Sequence, residues 1–391
     1  MILPRVLHIA TSFPSNPSDI SGPFIHKLVR AEKKLGLSCA VLTPAGTKPV
    51  LWPGDYRVYR YRYAPWSLQR FSSRTGGIPA ALDRSPWLIA LVPLFLSGMA
   101  VCLLRMAGDY DVIHAHWSIC GAAAALTRHL HRLPVITTLH GTDHHKGMGG
   151  GPYGWLHGRA VSGSRFLAGV SRAIVSETVS RFGLMEDKVF FIPNGVSESF
   201  FSVRRSFAPG KKVKFLFAGS LIELKGVDCL LKAFAGTENT ENWHLGIVGD
   251  GPERTRLEAM AVSLGIGPNV TFSGAIVPDG MPELMAEHDV LVLPSYREGR
   301  PSVVLEAMAA AMPVVATDIP GTRELVQNGR TGWLFPPGNE TILADILTSI
   351  LAGEKDLRAA GTAGRKWMVE NELTWAETAE RYRELYFRAV R

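Results

Sequence analysis

The chain has 391 residues, 46% hydrophobic and 20% charged. That length exceeds the ~150 residues usual for one domain, so two domains are expected, and the apolar fraction excludes a disordered chain. Its 39 Gly and 25 Pro follow no period, which excludes collagen-like and low-complexity chains. Cys39, Cys102, Cys120 and Cys229 are far apart and form no C-x-x-C pair. They read as buried free thiols in a reducing compartment, not as disulfides or a zinc site. The formal net charge of +7 is uneven: residues 1–188 carry 21 Lys and Arg against 10 Asp and Glu, +11, whereas residues 189–391 carry 21 against 25, −4. The basic half either meets something anionic or carries ordinary solubilising charge. No zinc-finger spacing, RNA-binding signature or basic helix points to nucleic acid.

Met1 to Thr11 has one Arg and no long apolar core ending in a small-residue cleavage site, so it reads as a first strand rather than a signal peptide. Short β-rich apolar runs then alternate with helical patterns. In the first half they are Val6–Ala10, Cys39–Thr43, Asp111–Trp117, Pro134–His140, Phe166–Ser171 and Val189–Asn194. In the second they are Val213–Ser220, Trp243–Gly249, Asn269–Gly274, Val290–Ser295, Pro313–Thr317 and Gly332–Phe335. Most lack in/out alternation, as parallel strands covered on both faces do. Two blocks of strand–helix–strand repetition predict two doubly wound α/β domains.

Trp87–Leu104 is 18 residues without charge, near the threshold for a spanning helix. Spanning would separate strands that belong to one sheet. The expectation is a buried helix packed on that sheet, with a membrane-dipping helix as the alternative and a kink at Pro93. A linker is expected near Gly195–Gly210, where Phe200, Phe201 and a Pro-Gly pair break the pattern. The domains are placed at 1–197, 198–370 and 371–391. Thr374–Arg391 reads as an amphipathic helix with Trp375, Ala379, Tyr382, Leu385 and Tyr386 on one side.

The main chemical signal runs from Ser295 to Glu306, SYREGRPSVVLE. A strand ends, a loop carries Glu298, and a helix opens near Pro301. Side chains lean toward a helix N-terminus, so Glu306 can point back to the strand ends. Free amides near Ser302, Val303 and Val304 form a ready anion site. A carboxylate beside such a site can hold a ribose diol, and Glu298 lies where a hexose can reach it.

The stretch EGRPSVVLEAMA followed by PVVATD resembles the E-x7-E region of the retaining family 4 glycosyltransferases. Other matching pieces occur in the family's order: Asp111-Val-Ile-His-Ala-His-Trp, His140-Gly-Thr-Asp143, Val170-Ser-Arg, Ile192-Pro-Asn194-Gly, Phe217-Ala-Gly-Ser-Leu-Ile-Glu-Leu-Lys-Gly226 and Val248-Gly-Asp-Gly-Pro252. The resemblance implies the GT-B architecture: two Rossmann-like parallel-sheet domains facing across a cleft, with a final helix crossing back to the first.

By the same resemblance Lys225 holds a donor diphosphate, Gly249 and Gly22 allow close backbone approach to the donor, and Glu306 holds the ribose. Glu298 and His140 stand at the reacting sugar, with Asp143 and Asn194 on the acceptor side. Many relatives carry Arg five positions before the Lys, where this chain has Ser220; Arg300 is a candidate replacement. His140, Asp143, His144, His145 and His157 lack metal-ligand spacing, so sugar contact ranks above metal. His114 and His116 alternate on a strand and read as core or cleft-lining residues. The expected activity is a retaining, metal-independent transfer from a nucleotide-diphosphate sugar, UDP by default, to a glycan or lipid-linked acceptor. The setting expected is surface polysaccharide assembly, cytoplasmic with contact to an anionic membrane. No cofactor is expected. The alternatives are a sugar-nucleotide epimerase and a non-catalytic sugar-nucleotide-binding subunit.

Overall fold

Continuous apolar runs form parallel sheets when helices cover both faces, and this chain builds two of them. The computed structural model describes residues 3–15, 19, 22–48, 50, 52–71, 78, 85–205, 212–237 and 240–391. The chain divides into two units, Met1–Gly195 with Trp375–Arg391, and Val196–Thr374.

The first unit holds β1 (Arg5–Ile9), β2 (Ser38–Pro44), β3 (Arg57–Tyr61), β4 (Val112–His116), β5 (Val135–Leu139), β6 (Phe166–Gly169) and β7 (Val189–Phe191). They lie in the order β3-β2-β1-β4-β5-β6-β7, and each strand pairs with its neighbours in parallel. The order reverses between β1 and β4, the place where such sheets open a crevice at their carboxyl ends. β4 and β5 are buried along their whole length. β3 was not expected from the sequence: its residues RVYRY carry two arginines on an edge strand, where charge discourages pairing with another chain.

The second unit holds β8 (Val213–Ala218), β9 (Trp243–Val248), β10 (Val270–Gly274), β11 (Val290–Leu293), β12 (Val314–Thr317) and β13 (Gly332–Phe335). The order is β10-β9-β8-β11-β12-β13, again parallel, with the reversal between β8 and β11. The expected linker is partly structured: Glu198–Phe201 is a helical turn, and Phe200 is buried in the core of this unit. Aromatic side chains there are packing residues rather than pattern breakers. Residues 206–211 lie outside the described ones.

The apolar segment of the first unit differs from expectation in two ways. A 3-10 turn, Pro86–Leu91, leads into the helix Val92–Met106, so Pro93 sits in its first turn and produces no mid-helix kink. Only one side is buried. Leu88, Phe95, Met99 and Leu103 face the core with Tyr61, Tyr63 and Phe71. Trp87, Ile89, Leu94 and Val101 are 46–66% exposed. The last helix, Trp375–Val390, belongs to the first unit and buries the five side chains that its periodicity selects.

Candidate functional site

In the second unit, Lys225 ends a 3-10 turn, Glu223–Lys225, that follows β8. Glu298 lies in the loop between β11 and the helix Ser302–Ala309. The two loops are tied by the Tyr296 amide donating to Leu224 O at 2.9 Å. Gly226 makes this approach possible: φ is 62°, and a Cβ there would sit 2.3 Å from Pro294 O. Gly321 supports the other side, since a Cβ on it would be 2.5 Å from Glu298 O. Lys225 Nζ therefore meets Glu298 Oε1 at 2.5 Å, with side chains 23% and 12% exposed. A cation and a carboxylate stand together at the carboxyl edge, at the point of strand-order reversal.

The helix Ser302–Ala309 begins after Pro301 without a capping side chain. Its N-terminal end carries partial positive charge. Of the three amides expected there, that of Val304 donates to Pro301 O at 3.2 Å. Val304 is buried, Val303 and Glu306 are half-buried, and Ser302 is exposed. Arg300 is 4% exposed, with Nη1 3.4 Å from Glu324. That half-buried ion pair ties the loop to the segment following the Pro320–Arg323 turn. Gly249 has φ 134°, and a Cβ on it would lie 1.8 Å from Gly219 O. Its demand for glycine comes from backbone packing between the loops after β8 and β9, where Leu221 N donates to Asp250 O at 2.9 Å.

In the first unit, Gly22 follows β1 with φ 67° and stands before the helix Pro23–Lys34; a Cβ there would be 3.0 Å from Ser12 O. His140 follows β5 and is 9% exposed. Burial pushes its imidazole down to about 3. Asp143 Oδ1 accepts from the His140 amide at 2.8 Å, and Oδ2 accepts from Ser118 N and Oγ at 2.9 Å. The carboxylate thereby caps the N-termini of two helices, Trp117–His131 and Gly141–Met148. Burial raises it to about 7, against these hydrogen bonds. Asn194 is half-buried beyond β7, beside Pro193, whose carbonyl accepts from Thr378 at 2.9 Å.

The family model for glycosyl transferases group 1 matches residues 199–367. A second model, the glycosyl transferase 4-like domain, matches residues 21–195. The chain belongs to the family 4 glycosyltransferases. Its two parallel-sheet α/β units have the GT-B fold of this family. An uncharacterised glycosyltransferase of Methanocaldococcus jannaschii is 31% identical over 255 residues, 60% of this chain and 64% of that protein, so the match spans just under two thirds of the relative. The sucrose-phosphate synthase of Thermosynechococcus elongatus superposes with a TM-score of 0.79 at 20% identity over 98% of both chains. Anabaena HepE in complex with UDP-glucose gives 0.72 at 19% identity, covering 98% of this chain and 99% of that one.

Sequence reasoning about this glycosyltransferase missed a buried polar network in the first unit. His8 on β1 pairs in register with His114 on β4, and both, with His116 and Glu32, are 0–1% exposed. Two apart on a strand, His114 and His116 suggested a lining; nothing in the local sequence marked Glu32 or His8 as their partners. Among the described residues, His8, His114 and His116 bring ring nitrogens close enough for a metal, and His8, Glu32 and Cys39 do so with a ring nitrogen, a carboxylate oxygen and a sulfur. Both nitrogens of His8 and of His114 already engage hydrogen-bonding partners, so a metal would have to displace those bonds. Neither group includes His140, Asp143, His144, His145 or His157.

Proposed function

We propose that this glycosyltransferase moves a sugar from a UDP-sugar to a glycan or lipid-linked acceptor, with retention at the anomeric carbon and without a metal. The observation that carries this reading is the Lys225–Glu298 pair at 2.5 Å beside an uncapped helix N-terminus. Cleavage of the donor C–O bond puts negative charge on the diphosphate and positive character on the sugar. Lys225 and the amides of Ser302 and Val303 offset the first, and Glu298 offsets the second while holding sugar hydroxyls. Glu306 holds the ribose from within the same helix. Fixed charges and dipoles there do the work that a metal does elsewhere. Anabaena HepE, of the same fold, has been solved with UDP-glucose, which supports UDP as the donor nucleotide.

The acceptor side is assigned to His140 and Asn194 in the first unit, with Asp143 holding the strand ends that carry them. The exposed apolar residues Trp87, Ile89, Leu94 and Val101 in a basic half of the chain support a peripheral contact with an anionic membrane, hence a lipid-linked acceptor. The setting proposed is cytoplasmic surface-polysaccharide assembly.

Thermal shift with UDP, GDP, ADP and their glucose conjugates tests the donor, because a ligand that binds only the folded state raises its melting point. UDP and UDP-glucose are expected to give the largest shifts. No shift with any of the six overturns the donor assignment. Glu298→Ala is expected to abolish transfer while nucleotide binding persists, which separates a transferase from a pure binding subunit. Conversion of the donor sugar without acceptor would favour an epimerase.

A further inference from the structure

Hydrogen-bond partners in the first unit fix which nitrogen carries each proton. Glu32 as a carboxylate only accepts. Tyr386 Oη lies 2.5 Å from Glu32 Oε1 and 2.7 Å from His114 Nδ1, and its single hydrogen serves the carboxylate. His114 then donates from Nδ1 and accepts at Nε2 from Thr138 Oγ1 at 2.7 Å, and Thr138 accepts from Tyr382 Oη at 2.8 Å. On the other side His8 donates from Nε2 to Glu32 Oε2 at 2.7 Å. One hydrogen remains between His8 Nδ1 and His116 Nε2, 3.1 Å apart.

If that hydrogen belonged to His8, His116 would carry its own on Nδ1, a buried N–H with no acceptor among the described residues. Orphaned buried N–H groups are rarer than under-used acceptors. The hydrogen therefore sits on His116 Nε2, and Nδ1 is a bare acceptor. This nitrogen belongs to the last residue of β4. Its ring stacks on that of His140 at 5.8 Å, and His140 Nε2 is a second buried nitrogen without a partner among the described residues. Phe24 and Trp117 complete a four-ring cluster, at 4.7 and 5.2 Å from the His140 ring. Trp117 is held at φ 68°, a costly conformation for a bulky residue and one that concentrates at functional sites.

We infer that Glu32 and His8 are positioning residues that hold His116 Nδ1 unprotonated, so that it accepts the hydroxyl hydrogen of a sugar ring bound at the ends of β4 and β5. This subsite rests on reading that edge as the acceptor side. Trp117 and Phe24 supply apolar ring faces for the C–H side of the same sugar. Nδ1 is not exposed to solvent, so a ligand hydroxyl reaches it only when one of the neighbouring rings moves aside.

Ring-nitrogen NMR on the full chain labelled at histidine tests this directly. Wild type is expected to show His116 protonated at Nε2 and bare at Nδ1. Glu32→Gln offers an amide donor to His8 Nε2, which reverses the relay and moves the His116 proton to Nδ1; Glu32→Asp keeps the wild-type pattern. A wild-type spectrum with His116 protonated at Nδ1 overturns the inference, and that spectrum needs no variant to fold. The functional arm measures UDP release from UDP-glucose with methyl glucoside added as the acceptor sugar, less the release without it. Glu32→Gln is expected to lower kcat at least tenfold with KM for UDP-glucose unchanged, and Glu32→Asp to restore it. Equal loss in both variants marks a structural role and sinks the inference. Loss of turnover in Lys225→Ala with none in Glu32→Gln also sinks it and leaves the donor site standing. No UDP release by wild type counts against the donor reading alone, and the NMR pattern still decides the relay.

Discussion

Lys225 Nζ lies 2.5 Å from Glu298 Oε1, although 73 residues separate them in the chain. Each side chain follows one of the two strands, β8 and β11, between which the sheet order reverses. Each charge neutralises the other. On the function proposed here, a donor diphosphate would compete with Glu298 for the ammonium, and the sugar hydroxyls would take over the carboxylate. Lys225→Ala is expected to weaken UDP about 10- to 100-fold, on the scale of one hydrogen bond to a charged group. Glu298→Gln removes the competing charge, so it is expected to tighten UDP several-fold while transfer collapses. Titration calorimetry with UDP, beside a turnover assay, checks both signs; weaker UDP binding in Glu298→Gln would contradict the competition.

Gly226 holds the Lys225 turn against the β11 loop. Gly226→Ala is expected to cost about 3 kcal/mol or more, because the methyl meets Pro294 O at 2.3 Å and φ is 62°. Gly183→Ala is the control: φ is 58° and no atom lies within 4 Å of the added methyl, so only left-handed strain of about 1 kcal/mol remains. Urea unfolding of the two variants reads the difference.

Acid is expected to destabilise the first unit. Burial holds His140 at about 3 and His157 at about 4, and pushes His114 and His116 well below the ordinary 6.5. Unfolding lets each take up a proton, so their contribution is present above 6.5 and is lost as pH falls toward those values. At pH 5 each fully buried histidine forfeits up to ~2 kcal/mol. Asp143 works in the opposite sense. Raised from 3.8 to about 7, it contributes most below 3.8 and loses that contribution as pH rises through 7. With several histidines against one aspartate, the melting temperature is expected to fall between pH 7.5 and 5. His140→Gln is expected to flatten the fall, and a pH-independent melting curve would contradict the assignment.

The exposed apolar side of the Pro86–Met106 segment gives a surface prediction. Trp87→Ser, Ile89→Ser and Leu94→Ser together replace side chains that are 52–66% exposed, so the melting temperature is expected to hold. Cosedimentation with anionic vesicles is expected to drop. Equal sedimentation of variant and wild type at low salt would remove the membrane contact from the proposal.

Local pattern determined a great deal. Unalternated apolar runs announced most of the parallel strands, because burial on both faces demands apolar residues at every position. The three- and four-residue spacing of Trp375, Ala379, Tyr382 and Tyr386 announced the buried side of the last helix, and motif order announced the family. Edge strand β3 stayed hidden, since half-exposed strands carry charge and mimic loop composition. Tertiary structure alone decided the rest. It put Lys225 against Glu298, spent Arg300 on Glu324, turned Asp143 into a double helix cap, and joined Glu32, His8 and His116 into one array. Those outcomes depend on which loops and strands become neighbours, and a hydrogen bond spanning 24 or 108 residues leaves no periodic trace in the chain.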